Sequence, residues 1–301
     1  MKAGSPDRFM EKETTLRKGE KSMFRKIKDA VAFTLIYLTA FYAVLLLSGI
    51  IFYVFAKGVP VLGLPFFTTV TSVVKGTVGI AGNLVNTVYI VALTLVVAVP
   101  AGVGAAVWLN EYAAPGRWGR LIEFATETLA GIPSIVFGLF GMVFFGTTLG
   151  LGYSILTGAL TLSLMILPLI TRNTQEALRA VPESYRSGAI GMGATKWHMI
   201  RTILLPSAMP GITTGILLAV GRIVGESAAL LFTAGSGYFL PDSGSGFFHK
   251  IMEPGGTLTV QMYLSMARAD YDAAFGIAAV LLGIVLTFNL LLKMLARNKL
   301  F

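Results

Sequence analysis

The sequence predicts an all-α integral membrane protein with six transmembrane helices, and three observations support this prediction. The chain of 301 residues is 55% hydrophobic and only 13% charged, whereas a soluble domain has about 25% charged residues. Its uncharged runs reach or exceed the roughly 20 residues that a helix needs to cross a bilayer. Its Lys and Arg residues lie mainly in alternate connections between these runs, as in membrane proteins of fixed orientation.

The first span is predicted over residues 30–56, which contain no charged residue. The apolar region of a cleavable signal peptide has only about 7–15 residues, so we expect this span to be retained. Residues 1–29 before it form a basic tail with nine Lys and Arg residues. A nucleic-acid arm or an anchor on anionic lipid is the alternative. We favour charge that fixes the orientation of the adjacent span, and expect no nucleic-acid partner.

Five further spans are predicted across a core of residues 79–296. Residues 128–171 form an uncharged run of 44 residues, which at about 1.5 Å per residue is twice the thickness of a bilayer. Two helices therefore share this run, with a turn predicted at 146–154. The other three spans, bounded by charges or turn residues, are predicted at 85–109, 210–233 and 273–292.

The positive charges predict the orientation of these spans. With the N-terminus in the cytoplasm, 19 of the 24 Lys and Arg residues lie on the cytoplasmic side and four in the external connections, which leaves Arg222 alone inside a span. This asymmetry follows the positive-inside rule. We therefore expect both termini and the polar segment 172–206 in the cytoplasm.

Segment 172–206 is predicted to begin with a short helix outside the bilayer. Pro182 suits the first turn of a helix because it lacks an N–H group, and Glu183 suits the positive end of the helix dipole. The helix is expected to run to Met192, because the next residue, Gly193, can adopt the left-handed backbone conformation that often ends a helix.

The surface of this short helix carries little bulk. Ser187, Gly188 and Ala189 are small, so the backbone or side chains of another protein have room to come close. Beyond the turn, a second and amphipathic helix is predicted to lie against the membrane face and to end at Pro206. Its apolar positions recur at helical spacing: Trp197, Ile200 and Leu204.

Two ionisable residues lie in the span predicted at 210–233. Arg222 and Glu226 are four residues apart, which puts them on one face of a continuous helix with Arg222 near the bilayer midplane. A charge at that depth is costly and should face a wet cavity or a partner. Arg222 is thus either part of a transient oxyanion site on a substrate path, or one half of an internal ion pair with Glu226 that holds the bundle together. Both roles can coexist.

Two glycine pairs in the same span predict close helix packing. Gly211 and Gly215, like Gly221 and Gly225, are four residues apart and so lie on one stripe of the helix. Small residues at this spacing let two membrane helices approach closely, either within the chain or across a dimer.

The sequence lacks the residues and motifs that several kinds of site need. There is no cysteine, and His198 and His249 are predicted on opposite sides of the membrane, so we expect no metal or cofactor site. No phosphate-binding loop of the type used to split ATP is present. If the chain works in active transport, the energy comes from another subunit, and the chain itself is not an enzyme.

Segment 172–206 resembles the EAA loop of ABC-importer permeases, whose pattern is Glu-Ala-Ala, three residues, Gly, nine residues and Ile-x-Leu-Pro. Ser187 and Gly188 depart from its first Glu and Ala, and Glu183 one turn earlier is a candidate replacement for the missing carboxylate. The positions in register are Ala189, Gly193, Ile203, Leu205 and Pro206.

Longer stretches of the chain resemble the phosphate permease (PstA) family, and the resemblance covers about residues 79–292. The most specific stretch runs from Gly221 to Ala228 and is followed by Leu231–Gly235. The other matching stretches are Asn110–Tyr112, Gly131–Gly138, Glu176–Pro182 and Gly193–Trp197.

This resemblance implies a type I ABC importer permease fold with a cytoplasmic coupling helix, in the inner membrane of a prokaryotic cell. It implies a path for inorganic phosphate that includes Arg222 and Glu226, formed with a second, PstC-like permease subunit. A PstB-like ATPase dimer and a PstS-like external phosphate-binding protein would complete the importer. The residues implied in docking to the ATPase are Ser187, Gly188, Ala189 and Gly193.

Three other functions remain open at this stage. The coupling loop does not distinguish phosphate from another oxyanion such as sulfate or molybdate. A passive channel or an intramembrane enzyme is less favoured. A channel has no use for a docking loop, and the spans hold no clustered His, Cys or paired carboxylates.

Overall fold

Long apolar helices dominate the structure. The computed structural model describes residues 6–72, 77–113, 116–240 and 246–298, and the side chains within them except those of 6–27, 72, 117–118 and 291–298. Its elements are α1 Pro6–Gly58, α2 Leu64–Thr68, β1 Val70–Ser72, β2 Thr77–Ile80, α3 Ala81–Val107, α4 Arg117–Ala130, α5 Ser134–Gly141, α6 Ile155–Arg179, α7 Glu183–Gly191, α8 Lys196–Met199, α9 Leu205–Gly225, α10 Ala228–Thr233, α11 Phe247–Ile251, α12 Leu258–Ala267 and α13 Tyr271–Asn298, with π-helical turns at Trp108–Tyr112, Met142–Thr148 and Ile200–Leu204.

Five helices in the described residues are long and apolar enough to cross a membrane, and a bent pair brings the number to six if the pair forms one span. The pair is α4 with α5 and its π turn, bent by 102° at residues 131–133. Pro133 precedes the first residue of α5, where its fixed φ and missing N–H favour a break. The helical membrane fold is therefore confirmed. The five unbent spans are Lys28–Val61, Ala81–Tyr112, Ile155–Arg179, Lys196–Gly225 and Tyr271–Leu290.

The chain divides into two compact units, residues 1–54 and 55–301. The first unit is the N-terminal part of α1. Its side chains from Lys28 to Ile50 are all exposed although most of them are apolar. A helix that is apolar on all sides suits a lipid environment. The side chains of the predicted basic tail up to residue 27 lie outside the described part, and the predicted domain boundaries stay predictions.

The second unit is built around α3, α6 and α9, which share a buried apolar cluster. Gly102 of α3 meets Ile170 of α6. On α9, Gly211 and Gly215 lie against Ala177 and Asn173 of α6. This glycine pair therefore serves packing within the chain, as one of the two predicted alternatives. The second pair is different, because no atom of the described chain lies within 4 Å of a Cβ added at Gly221 or Gly225.

The connections between the spans were only partly predicted. The turn before α6 contains Gly150 (φ +70°) and Gly152 (φ +58°), within the predicted turn at 146–154. Strands β1 and β2 form an antiparallel pair that we did not predict.

The helix expected to end at Pro206 continues through it. The N–H of Leu205 donates to the carbonyl of Ile200, which makes the turn before Pro206 π-helical. This wider turn relieves the clash between a proline ring and the preceding turn of an α-helix. The predicted end of the helix at Pro206 is therefore wrong, and Lys196–Gly225 forms one span of 30 residues.

Candidate functional site

Residues 182–199 fold into two short helices joined by a tight turn, here called the hairpin. Helix α7 has Glu183 in its first turn, as predicted, and Pro182 at its N-cap, one residue before the predicted first turn. Gly193 has a φ of +83°, which confirms the predicted left-handed stop. The chain then turns into α8, where the Thr195 hydroxyl accepts a hydrogen bond of 3.3 Å from the His198 N–H.

One face of the hairpin is exposed, open and apolar. Ser187, Gly188 and Gly193 are exposed, and no atom of the described chain lies within 4 Å of a Cβ added at either glycine. Ile190 and Met192 have relative exposures of 62% and 82%. Exposed apolar side chains beside open glycines are typical of a surface that another protein covers.

Ala189 does not belong to this exposed face. Its relative exposure is 1%, and it packs in a buried cluster with Leu178, Val181, Met199 and Leu204. The expectation that Ala189 offers surface to a partner is therefore corrected. Its small side chain instead lets α7 lie close to the body of its own chain.

The second helix of the segment also differs from the prediction. Ile200 and Leu204 are fully buried in the protein and do not face the membrane surface, whereas Trp197 is 59% exposed. The helical spacing was correct, but the apolar face it created packs on α6 and α7 residues.

Arg186 fixes α7 to two other elements, and sequence reasoning missed it. Its Nε and Nη2 donate to Glu111 Oε1 at 3.3 and 3.0 Å, and Nη2 also donates to the Leu178 carbonyl at 3.0 Å. Its Nη1 donates to the Val181 carbonyl at 3.1 Å and to Glu183 Oε2 at 3.3 Å. The five N–H groups of a guanidinium therefore all have partners.

This ion pair is largely withdrawn from solvent. The side chains of Arg186 and Glu111 are 14% and 5% exposed. Asn110 Nδ2 donates a further hydrogen bond of 2.7 Å to Glu111 Oε1. Removing one partner of a buried pair costs about 3–5 kcal/mol, because the remaining charge is left uncompensated. The only sequence signal for this pair was the stretch Asn110–Tyr112, which resembles the permease family but was given no role.

Arg222 lies in the last turn of α9. It is 17 residues beyond the first residue of α9, or about 26 Å at 1.5 Å per residue, so it is near the end of the helix and not at its middle. The position is favourable for a cation because the free carbonyls of a helix C-terminus are partly negative. Arg222 is exposed, and no side-chain hydrogen bond or ion pair joins it to the described part of the chain.

Glu226 is not on the helix that carries Arg222. Helix α9 ends at Gly225, and Glu226 has an extended backbone with φ −80° and ψ 127°. Its Oε1 accepts a hydrogen bond of 3.1 Å from the Ala229 N–H in the first turn of α10. Its carbonyl accepts one of 2.7 Å from the Thr259 hydroxyl. Of the two alternatives for Arg222, the internal ion pair with Glu226 is therefore not formed in the described residues, because the carboxylate caps α10.

The sequence of residues 98–298 matches a protein family described as binding-protein-dependent transport system inner membrane component. The chain belongs to this family of ABC importer permeases. The permease is thus a multi-pass membrane transport subunit and not an enzyme. The kinds of partner that the family implies are a separate ATPase subunit and an external binding protein.

Curated relatives agree with this family. The permease is 40% identical over 213 residues to the probable ABC transporter permease protein YqgI of Bacillus subtilis, a match that covers 71% of this chain and 72% of that protein. It is 31% identical over 279 residues to the phosphate transport system permease protein PstA of Haemophilus influenzae, which covers 92% and 96%. It is 33% identical over 282 residues to PstA 1 of Mycobacterium tuberculosis, which covers 90% and 89%.

Solved structures support the fold. One chain of a bacterial alginate ABC transporter, in complex with an alginate pentasaccharide-bound periplasmic protein, aligns with a TM-score of 0.67 at 15% identity, covering 90% of the permease and 95% of that chain. A chain of the inward-facing MetNI methionine ABC transporter aligns with a TM-score of 0.55 at 19% identity, covering 73% and 94%. The predicted ABC importer permease fold is confirmed.

Proposed function

We propose that the permease forms, with a second permease subunit, the membrane path of an ATP-driven importer of inorganic phosphate. The observation that carries this proposal is the similarity to phosphate transport system permeases over nine-tenths of the chain. An ATPase dimer and an external phosphate-binding protein complete the importer. Both termini and the hairpin face the cytoplasm, in agreement with the distribution of Lys and Arg.

Arg222 is the proposed contact for phosphate on the path. A guanidinium matches the oxygens of an oxyanion with two parallel N–H donors. Because Arg222 has no ion pair in the described residues, its donors are available to an arriving anion. A path needs binding that is weak enough for release. Glu226 contributes by holding the helix break that follows Arg222.

The exposed face of the hairpin is the proposed docking surface for the ATPase. Ser187, Gly188 and Gly193 leave room for close approach, and Ile190 and Met192 supply apolar contact. When ATP closes the ATPase dimer, the hairpin is carried with it and tilts the spans. The region of Arg222 is then opened alternately to the two sides of the membrane, by rigid-body motion.

Reconstitution of the complete complex in proteoliposomes tests the substrate. We expect uptake of labelled phosphate that requires ATP and the binding protein, and that excess sulfate or molybdate does not reduce. ATP-dependent uptake of sulfate or molybdate in place of phosphate would support the other oxyanion function. Phosphate flux that is independent of ATP would support a passive channel and remove the importer proposal.

Cysteine labelling tests the orientation. The chain contains no cysteine, so a Met192→Cys variant carries a single reactive thiol at a position that is 82% exposed. A membrane-impermeant maleimide is expected to label it in inside-out vesicles and not in intact cells. Labelling from the outside would refute a cytoplasmic hairpin.

A further inference from the structure

Ala189 and Met199 of the hairpin pack in the buried cluster with Leu178 and Leu204, and its charged side chains contact the π-helical turn Trp108–Tyr112 at the end of α3. Arg186 of α7 binds Glu111 in this turn. Lys196, the first residue of α8, places Nζ 4.9 Å from the centre of the Tyr112 ring. Both helices of the hairpin therefore contact this turn, at its adjacent residues Glu111 and Tyr112. π-Helical turns are rare and frequently occur at functional sites.

The ion pair is the main side-chain attachment of α7. Ala189 is the single buried residue of this helix, and its side chain is one methyl group. Arg186, by contrast, joins three elements, since it binds Glu111 after α3, the Leu178 carbonyl in α6 and the Val181 carbonyl in the connection to α7. A displacement of α7 must therefore move the end of α3 or break a buried pair.

Two other Arg–Glu pairs in the described residues show the contrast. Arg172 with Glu127 and Arg179 with Glu123 join α6 to α4 at 2.9 and 3.5 Å. Their side chains are 45–65% exposed. Exposed pairs of this kind hold a geometry only weakly because water competes for both charges. The pair of Arg186 and Glu111 is the buried one of these three, and every N–H group of its guanidinium has a partner.

We propose that Arg186 and Glu111 are positioning residues that transmit displacement of the hairpin to α3, so that nucleotide-driven motion of the ATPase reaches the membrane core. From α3 the motion passes to α6, on which α3 packs closely at Gly102. The inference rests on the proposed docking of the ATPase to the hairpin. It does not depend on which anion is carried.

The test uses the complete complex in proteoliposomes, with ATP hydrolysis and phosphate uptake measured on the same vesicles. In the variants Arg186→Met and Glu111→Gln we expect the amount of uptake per ATP hydrolysed to fall by at least about tenfold, while ATP hydrolysis continues. The double variant should be no worse than Arg186→Met alone, because both changes remove one interaction. Arg179→Met, which removes an exposed pair, is the matched control and should keep the wild-type ratio.

Parallel loss of uptake and hydrolysis would overturn the inference, because it would show that the pair only supports folding or docking. An unchanged ratio in both variants would overturn it equally. Docking is checked separately by nucleotide-dependent crosslinking of a Met192→Cys thiol to the ATPase, which should persist in Arg186→Met.

A readout that is independent of the substrate separates this inference from the phosphate assignment. Gly104 on α3 is exposed, and a Cβ added there meets no atom of the described chain within 4 Å. In a Gly104→Cys background, nucleotide should change the rate of maleimide labelling, and Arg186→Met should remove that change. If labelling responds to nucleotide but phosphate is not carried, only the substrate is wrong. If labelling responds equally in Arg186→Met, transmission through the pair is wrong.

Discussion

The variant Gly215→Ala tests the close approach of α9 to α6, on which the position of Arg222 depends. A Cβ at residue 215 would lie 2.6 Å from Asn173 Cβ and 3.3 Å from its Cγ. Asn173 Cβ is attached directly to the backbone of α6, so no rotamer change can remove the clash. An ordinary contact needs about 3.4–4 Å, so the helices must separate locally by about 1 Å.

The magnitude follows by comparison with a matched glycine on the same helix. Overpacking of a filled interface costs about 1–3 kcal/mol. Replacing Gly by Ala in a helix contributes about 1 kcal/mol in the opposite direction. Gly221→Ala gains the second term without the first, since no atom of the described chain lies within 4 Å of its added Cβ. The difference between the two variants isolates the steric cost, about 1–3 kcal/mol.

Thermal unfolding of the purified chain in detergent, followed by intrinsic fluorescence, measures this difference. We expect Gly215→Ala to unfold at a lower temperature than both Gly221→Ala and the wild type. If Gly215→Ala is as stable as Gly221→Ala, α6 and α9 do not meet at these residues, and the geometry of the whole core is wrong.

Three further predictions concern the proposed path and the hairpin. Arg222→Gln should abolish transport without dissociating the complex while Arg222→Lys keeps part of it, with Arg201→Gln as an exposed control at the other end of the helix; normal uptake in both Arg222 variants would refute the assignment. Gly193→Trp should leave ATP hydrolysis uncoupled from uptake, because φ is +83°, where a side chain costs about 1–2 kcal/mol, and because the indole obstructs docking; unimpaired uptake would contradict docking at this turn. Glu226→Gln should be milder than Glu226→Ala in thermal unfolding, because an amide oxygen still caps the Ala229 N–H and loss of a cap costs about 1 kcal/mol; equal effects would argue against capping.

The sequence predicted those features that depend on local chemistry. The apolar run 30–56 needs no partner to be recognised as a span, because its length and lack of charge suffice. Gly193 was predicted in a left-handed turn because glycine adopts that conformation at no steric cost. Proline disfavours a continuous helix through its fixed φ and missing N–H, and the 102° bend lies at Pro133 and the two residues before it.

Features that depend on distant partners were not predictable in the same way. Residues 210–233 were predicted as one uninterrupted span. In the structure α9 ends at Gly225, and the next residue, Glu226, has its carbonyl bound by Thr259, 33 residues later. In the sequence, Arg186 was only one of several positive charges in its segment, because its carboxylate partner lies 75 residues earlier. Hydropathy and spacing contain no information about such pairs.

The break after α9 can exist inside a membrane protein only if its backbone groups are satisfied, because lipid offers no hydrogen bonds. The protein meets this requirement with its own groups. Thr259 binds the Glu226 carbonyl, and the Glu226 carboxylate binds the Ala229 N–H. Helix α5 of the bent pair packs against the same break, since Gly138 of α5 lies so close to Ala229 that a Cβ there would be 2.8 Å from its Cα. These hydrogen bonds occupy the polar groups of the break. Arg222, one turn earlier, makes no side-chain hydrogen bond or ion pair in the described residues. Because a cation within a bilayer is costly unless water or a mobile anion reaches it, our proposal that Arg222 lies on the path predicts that an anion passes at the end of α9.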